Sequence, residues 1–192
     1  MKNNVILIGM PGAGKSTVGV LLAKRLGYDF VDTDVLIQIR EGELLQDTLD
    51  AQGYLALRDI EEQVLLSLDV ASTVAATGGS AVYSERAMGH LARTGVVVYL
   101  TAELDELKRR IHDYDTRGIA RRPDQDLAEL FAERTRLYRK YAEITVNAAP
   151  PPEEVVTAIE VALHEAPYEG TFVPEWVADL SPLLQVRSRR SR

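Results

Sequence analysis

At 192 residues and 46% hydrophobic side chains, the chain is sized for one compact domain with a core of its own, with room for an extension. The absence of cysteine excludes disulfides, thiol catalysis and cysteine-ligated metals, and a reducing, cytoplasmic compartment is the expectation. A net charge of -7 argues against broad nucleic-acid binding, and no apolar run is long enough for a membrane span or arranged as a secretory leader, so neither nucleic acid nor membrane is an expected partner.

The first element is the apolar run Val5-Ile6-Leu7-Ile8, which reads as a buried strand. Directly after it, Gly9-Met10-Pro11-Gly12-Ala13-Gly14-Lys15-Ser16-Thr17 matches G-x-x-x-x-G-K-[ST], the phosphate loop, and Lys15 opens a helix. Glycines let such a backbone curl until its N–H groups converge on phosphate oxygens, and the helix adds the positive end of its dipole. Gly12, Ala13, Gly14, Lys15, Ser16 and Thr17 are therefore the candidate nucleotide-binding residues. Lys15 would reach the β- and γ-phosphates, and Ser16 would ligate Mg²⁺. A merely structural strand-to-helix turn is the alternative, but strand, loop and helix all agree with a triphosphate site.

Val18, Leu21, Leu22 and Leu26 recur at helical spacing, with Gly27 as the stop, which predicts a helix over 15–26. Tyr28-Asp29-Phe30-Val31-Asp32 reads as a second strand, and a helical pattern begins at Asp34. Asp32 and Asp34 thus sit at a strand end, where one could hold Mg²⁺ and the other face an acceptor hydroxyl, while a plain helix cap is the alternative for either. A helical region over 44–68, interrupted at Gly53, carries Arg58 beside Glu61 and Glu62 at neighbouring-turn spacing, which by itself describes a surface ion-pair ladder. A third strand over 72–76 ends in Thr77-Gly78-Gly79-Ser80. A helix over 84–93, a strand over 95–100 and a helix over 103–111 continue the alternation.

Residues 112–124 are polar, rich in Asp and Arg, and read as a mobile loop. A long helix over 126–141 carries Arg134 and Arg136, a short strand follows over 144–147, and a proline turn at 150–152 precedes a helix over 153–164. This order predicts an α/β fold with a mostly or wholly parallel five-stranded sheet covered on both faces, and with ligands at the carboxyl ends of its strands. Residues 1–165 form that domain. Residues 166–192 read as an extension, with Phe172, Val173, Trp176 and Leu180 as possible anchors and a basic, solvated end at Arg187, Arg189, Arg190 and Arg192.

Taken together, the phosphate loop through Val18-Gly19, Asp32-Thr33-Asp34, Arg58-Asp59-Ile60-Glu61, Gly78-Gly79 and Arg134-Thr135-Arg136-Leu137-Tyr138 resemble the shikimate kinase family in order and spacing. The resemblance covers residues 1–165 and implies a phosphate-loop NTPase-type three-layer α/β/α fold with a mobile lid. It also implies ATP-dependent phosphorylation of shikimate to 3-phosphoshikimate. Within it, Lys15, Asp34 and Arg117 would be catalytic, with Arg117 as the lid arginine that also binds nucleotide and with Arg121 and Arg122 as rivals. Asp34, Arg58, Gly78, Gly79 and Arg134 would bind the acceptor, two arginines being suited to grip one carboxylate, and Ser16 and Asp32 would hold Mg²⁺. ATP is the implied co-substrate, and a monomer suits so compact a unit.

The chain departs from the family pattern at Ser80 (a third glycine in the family), at Arg117-Gly118-Ile119-Ala120, at Leu49 and Leu57 (phenylalanines) and at Tyr54 (a glutamate). These positions leave room for a paralogue that phosphorylates another hydroxylated carboxylic acid. A nucleotide-binding regulatory module is the alternative of a different class, though no Asn-Lys-x-Asp guanine-reading element occurs.

Overall fold

The computed structural model describes residues 2–111, 114, 117–165 and 184–186. Its elements are β1 (Asn4–Ile8), α1 (Lys15–Leu26), β2 (Asp29–Asp32), α2 (Thr33–Glu41), α3 (Leu45–Ser67), β3 (Thr73–Ala76), a 3₁₀ turn (Ala81–Tyr83), α4 (Glu85–Thr94), β4 (Gly95–Thr101), α5 (Leu104–Arg110), α6 (Leu127–Tyr141), β5 (Ile144–Asn147), α7 (Pro152–Glu165) and β6 (Leu184–Val186). Both β1 and β3 are buried along their whole length, which is why they read as unbroken apolar runs and not as alternating ones.

The sheet order is β2-β3-β1-β4-β5-β6. The first five strands are parallel, as the alternation of elements predicts, and β6 adds an antiparallel edge strand, with Thr145 opposite Gln185. Nothing in the sequence pattern announces β6, because three residues carry no readable period. The crossovers place α1 and α7 together on one face and α3 and α4 on the other, giving three layers. The chain runs outward from β1 to β2, returns to β3 and crosses over to β4. The carboxyl end of β1 is therefore the switch point at which open α/β sheets bind ligands.

Three boundaries differ from the sequence reading for local reasons. Pro152 is the first residue of α7 and not part of the preceding turn, because proline's missing N–H costs nothing at a helix start. α3 breaks at Gly53 (φ 83°, ψ 167°), so that its two halves face different surroundings. A 3₁₀ turn follows Gly78-Gly79-Ser80 where the sequence suggests a loop.

A second apolar cluster stands apart from the main core: Ile37, Leu57, Ile60 and Val64 of α2 and α3 enclose Ala120. Within the expected lid, His112, Asp113, Asp115 and Thr116 lie outside the described residues, whereas Ile119 and Ala120 are buried. Phe172, Val173, Trp176 and Leu180, the basic end from Arg187, and most of the 166–192 extension also lie outside the described residues. Among the described residues no helix is long and apolar enough to cross a membrane.

Candidate active site

The carboxyl ends of β1, β2 and β3 open into one cavity of about 310 Å³. Its lining includes Gly12, Gly14, Lys15, Ser16, Thr17, Asp32, Asp34, Gly78, Gly79, Arg117 and Arg134. Eleven of the thirteen residues singled out from the sequence thus meet there. Ala13 is buried beneath the loop, and Arg58 lines a smaller adjoining cavity of about 150 Å³.

The loop half is built for an anion. Gly12 and Gly14 hold positive φ values of 78° and 91°, which only glycine takes without strain. The N-terminus of α1 has no side-chain cap and no acidic residue in its first turn, so its dipole faces the cavity uncompensated. Lys15 Nζ donates to the carbonyls of Gly9 (2.9 Å) and Met10 (3.0 Å). Burial pulls its pKa down to about 8, although the carboxylates of Asp34 and Asp32 act in the opposite direction.

The metal half fits a hard divalent cation. Ser16 Oγ donates to Asp32 Oδ2 at 2.5 Å, so one hydroxyl and one carboxylate share a point beside the phosphate loop. Among the described residues no group of three or more His, Asp or Glu side chains is placed to hold a metal ion by itself. The remaining ligands of an ion here would come from phosphate oxygens and water, the usual arrangement for Mg²⁺. Asp32 Oδ1 also accepts from the N–H of Asp34 (3.0 Å), so Asp32 is both the cap of α2 and a candidate ligand, and the two readings of the sequence do not compete. Asp34 is left to face the cavity. Burial raises its pKa, with Lys15 opposing the shift.

The Gly78-Gly79 segment is fixed from both sides. Gly78 N–H donates to the buried Thr33 hydroxyl (3.0 Å), and Tyr138, stacked on Tyr99 with ring centres 5.1 Å apart, donates its hydroxyl to Gly79 O (2.7 Å). A Cβ on Gly78 would lie 2.5 Å from Asp34 Oδ1, and one on Gly79 would lie 2.6 Å from Arg134 Nη1 and 3.0 Å from Pro11 Cδ. Two glycines are what let the strand end pass this close to charged groups.

The far wall holds the arginines. Arg134, fully buried on α6, donates from Nη2 to Ala120 O at 2.8 Å, and Arg58 on α3 donates from Nη2 to the same oxygen at 3.2 Å. The Nε atoms of both are buried with no hydrogen-bond partner. The ion-pair ladder read from helical spacing does not form at Arg58: Glu62 pairs with Arg86 instead (2.9 Å), and Glu61 turns inward. Glu61 Oε2 accepts a short hydrogen bond from Ser80, its Oε1 has no hydrogen-bond partner, and burial followed by the neighbouring Asp34 pushes its pKa up to about 7.

Of the positions that depart from the family pattern, Leu57 and Ser80 line the main cavity, whereas Leu49 and Tyr54 line a separate groove between α3 and residues 119–123. Among the lid arginines, Arg117 is exposed and lines the cavity. Arg121 donates to the carbonyls of Arg122, Pro123 and Gln125, and Arg122 pairs with Glu133 (2.9 Å), so both rivals carry structural bonds. Sequence reasoning missed Arg110 of α5, which lines the cavity and donates to Ala148 O (3.0 Å). It also missed Tyr83, whose ring centre lies 3.5 Å from the Arg58 guanidinium carbon. Neither sits in a recognisable motif.

A family model for shikimate kinase matches residues 11–164. The shikimate kinase 2 of Enterobacter sp. (strain 638) is 34% identical over 171 residues, 86% of this chain and 98% of that protein. The shikimate kinase of Gloeobacter violaceus is 41% identical over 170 residues, 84% of this chain and 95% of its own. The solved structure of shikimate kinase from Acinetobacter baumannii in complex with shikimate is similar with a TM-score of 0.78 and 29% identity, covering 87% of this chain and 96% of that one.

Proposed function

Because the chain belongs to the shikimate kinase family, it is an ATP-dependent kinase that converts shikimate to 3-phosphoshikimate, and we propose that the residues at the strand ends divide that work as follows. The N–H groups of residues 12–17 receive the triphosphate at the uncapped start of α1. Lys15 exchanges its two loop carbonyls for β- and γ-phosphate oxygens. Their negative charge raises its pKa again from about 8, so the ammonium stays protonated while the phosphoryl group moves. Ser16 and Asp32 are the residues that would hold one Mg²⁺, which when bound supplies positive charge to the phosphate oxygens.

Asp34 takes the acceptor side of the reaction. The shikimate hydroxyl oxygen attacks the γ-phosphorus, the bond to the ADP oxygen breaks, and the hydroxyl proton passes to the Asp34 carboxylate. The upward shift of its pKa strengthens it as a base. Arg117, across the cavity, neutralises charge on the transferring group. Arg58 and Arg134 bind the shikimate carboxylate with the Nη2 donors that Ala120 O now accepts, and Gly78 and Gly79 allow the ring to pack against backbone. Movement of residues 117–121 admits the acceptor and then excludes water. Residues 1–165 of a single cytoplasmic subunit are the working unit, in keeping with a family match over residues 11–164.

The observation that carries this reading is the meeting of the phosphate loop, Asp34 and Arg134 in one cavity. The test is Arg58→Ala beside Arg134→Ala. Loss of a charge-assisted bond is worth about 1.5–3 kcal/mol, so each raises the KM for shikimate by roughly 10- to 100-fold, while the KM for ATP stays within about twofold. A rise in the ATP KM with shikimate KM unchanged would overturn the assignment.

A further inference from the structure

We infer that Tyr83 is a positioning residue for shikimate recognition, acting as an aromatic shelf that holds the Arg58 guanidinium beside that of Arg134. The inference rests on the assignment of Arg58 to the acceptor carboxylate. Arg58 and Arg134 place two like charges on one carbonyl oxygen, at 3.2 and 2.8 Å, so the pair repels itself before any acceptor arrives. A carboxylate would be the ordinary remedy, yet among the described residues neither arginine forms an ion pair. The nearby Glu61 bonds Ser80 and leaves its other oxygen without a hydrogen bond.

Tyr83 fills that role with the negative face of its ring. Its centre lies 3.5 Å from the guanidinium carbon of Arg58 and 5.5 Å from that of Arg134, with Tyr54 contributing a second face to Arg58 at 5.1 Å. The ring is itself held in place. Its hydroxyl donates to Glu133 Oε1 at 2.5 Å, and Glu133 Oε2 is bound by Gln125 Nε2 (2.8 Å) and Arg122 Nη1 (2.9 Å). The 3₁₀ turn after Ser80 is what brings Tyr83 back over the arginines. A quadrupole attracts a cation without claiming its N–H donors, so the buried Arg58 Nε keeps no hydrogen-bond partner. An acidic partner would consume those donors.

Steady-state kinetics on Tyr83→Leu, Tyr83→Phe, Arg58→Ala and the Arg58→Ala/Tyr83→Leu double variant test the inference, with thermal melts run on each. Tyr83→Leu raises the KM for shikimate about tenfold, with kcat and the KM for ATP within about twofold. Tyr83→Phe keeps the ring face and raises it less than about threefold. In the Arg58→Ala background, Tyr83→Leu has no further effect, because it acts through a guanidinium no longer there. Equal damage from Phe and Leu, additive effects in the double variant, or a melting-point loss with shikimate KM unchanged would each overturn the shelf. If Arg58→Ala leaves the shikimate KM unchanged, the assignment of Arg58 fails and not merely the role of Tyr83.

Discussion

Glu61→Gln should stabilise this protein, and by an amount that depends on pH. The carboxyl is 3% exposed, and its pKa is pushed up to about 7 by burial and by Asp34 beside it, from 4.5 in the unfolded chain. Between these values the folded state holds a proton that the unfolded state releases. Stability therefore falls as the pH rises through this window, and the full cost is present above it. Each pH unit between the two values costs about 1.36 kcal/mol, which comes to about 3 kcal/mol at pH 8 and about 1 kcal/mol at pH 5.5. Glutamine has the same shape, is neutral throughout, and still accepts from Ser80. For a domain of this size about 2–4 °C accompanies each kcal/mol, so the variant melts about 6–12 °C above the parent at pH 8 and about 2–4 °C above it at pH 5.5. Differential scanning calorimetry without ligands, across about pH 5.5 to 8, reads the difference directly. An equal gain at both ends, or none at the alkaline end, would refute the claim that a carboxylate is ionised there at a cost.

Lys15→Ala removes the charge that the γ-phosphoryl group needs and lowers kcat by at least about 100-fold, with far-ultraviolet circular dichroism unchanged; near-parental turnover would refute the role given to the loop. Gly79→Ala drives a methyl into Arg134 Nη1 and Pro11, and so raises the KM for shikimate by about tenfold or more, with a smaller effect on ATP, in steady-state kinetics on both substrates.

The donor half of the site is legible in the sequence because its chemistry is local. One loop of consecutive residues, a strand before it and a helix after it, point to a triphosphate site, and Lys15, Ser16 and Asp32 line one cavity at the strand ends. The acceptor half is assembled over long sequence separations. Arg58 and Arg134 meet through Ala120, a contact that spans 62 residues on one side and 14 on the other, and no periodicity reports it. Helical spacing points Arg58 at Glu61 and Glu62, but burial of Glu61 against Ser80 takes that partner inward. Tyr83 is invisible for a related reason: its position depends on a 3₁₀ turn that packs against α3, α4 and α6. The five parallel strands follow from apolar runs, while β6 depends on pairing with an edge that the sequence does not display.

The most direct measurement is product identification by phosphorus NMR and mass spectrometry after incubating the protein with ATP, Mg²⁺ and shikimate, alongside a panel of other polyol acids. One 3-phosphoshikimate forms for each ADP, and shikimate is turned over at a higher kcat/KM than any other acid in the panel. ADP release without phosphorylated shikimate, or preference for a different acid, would contradict this.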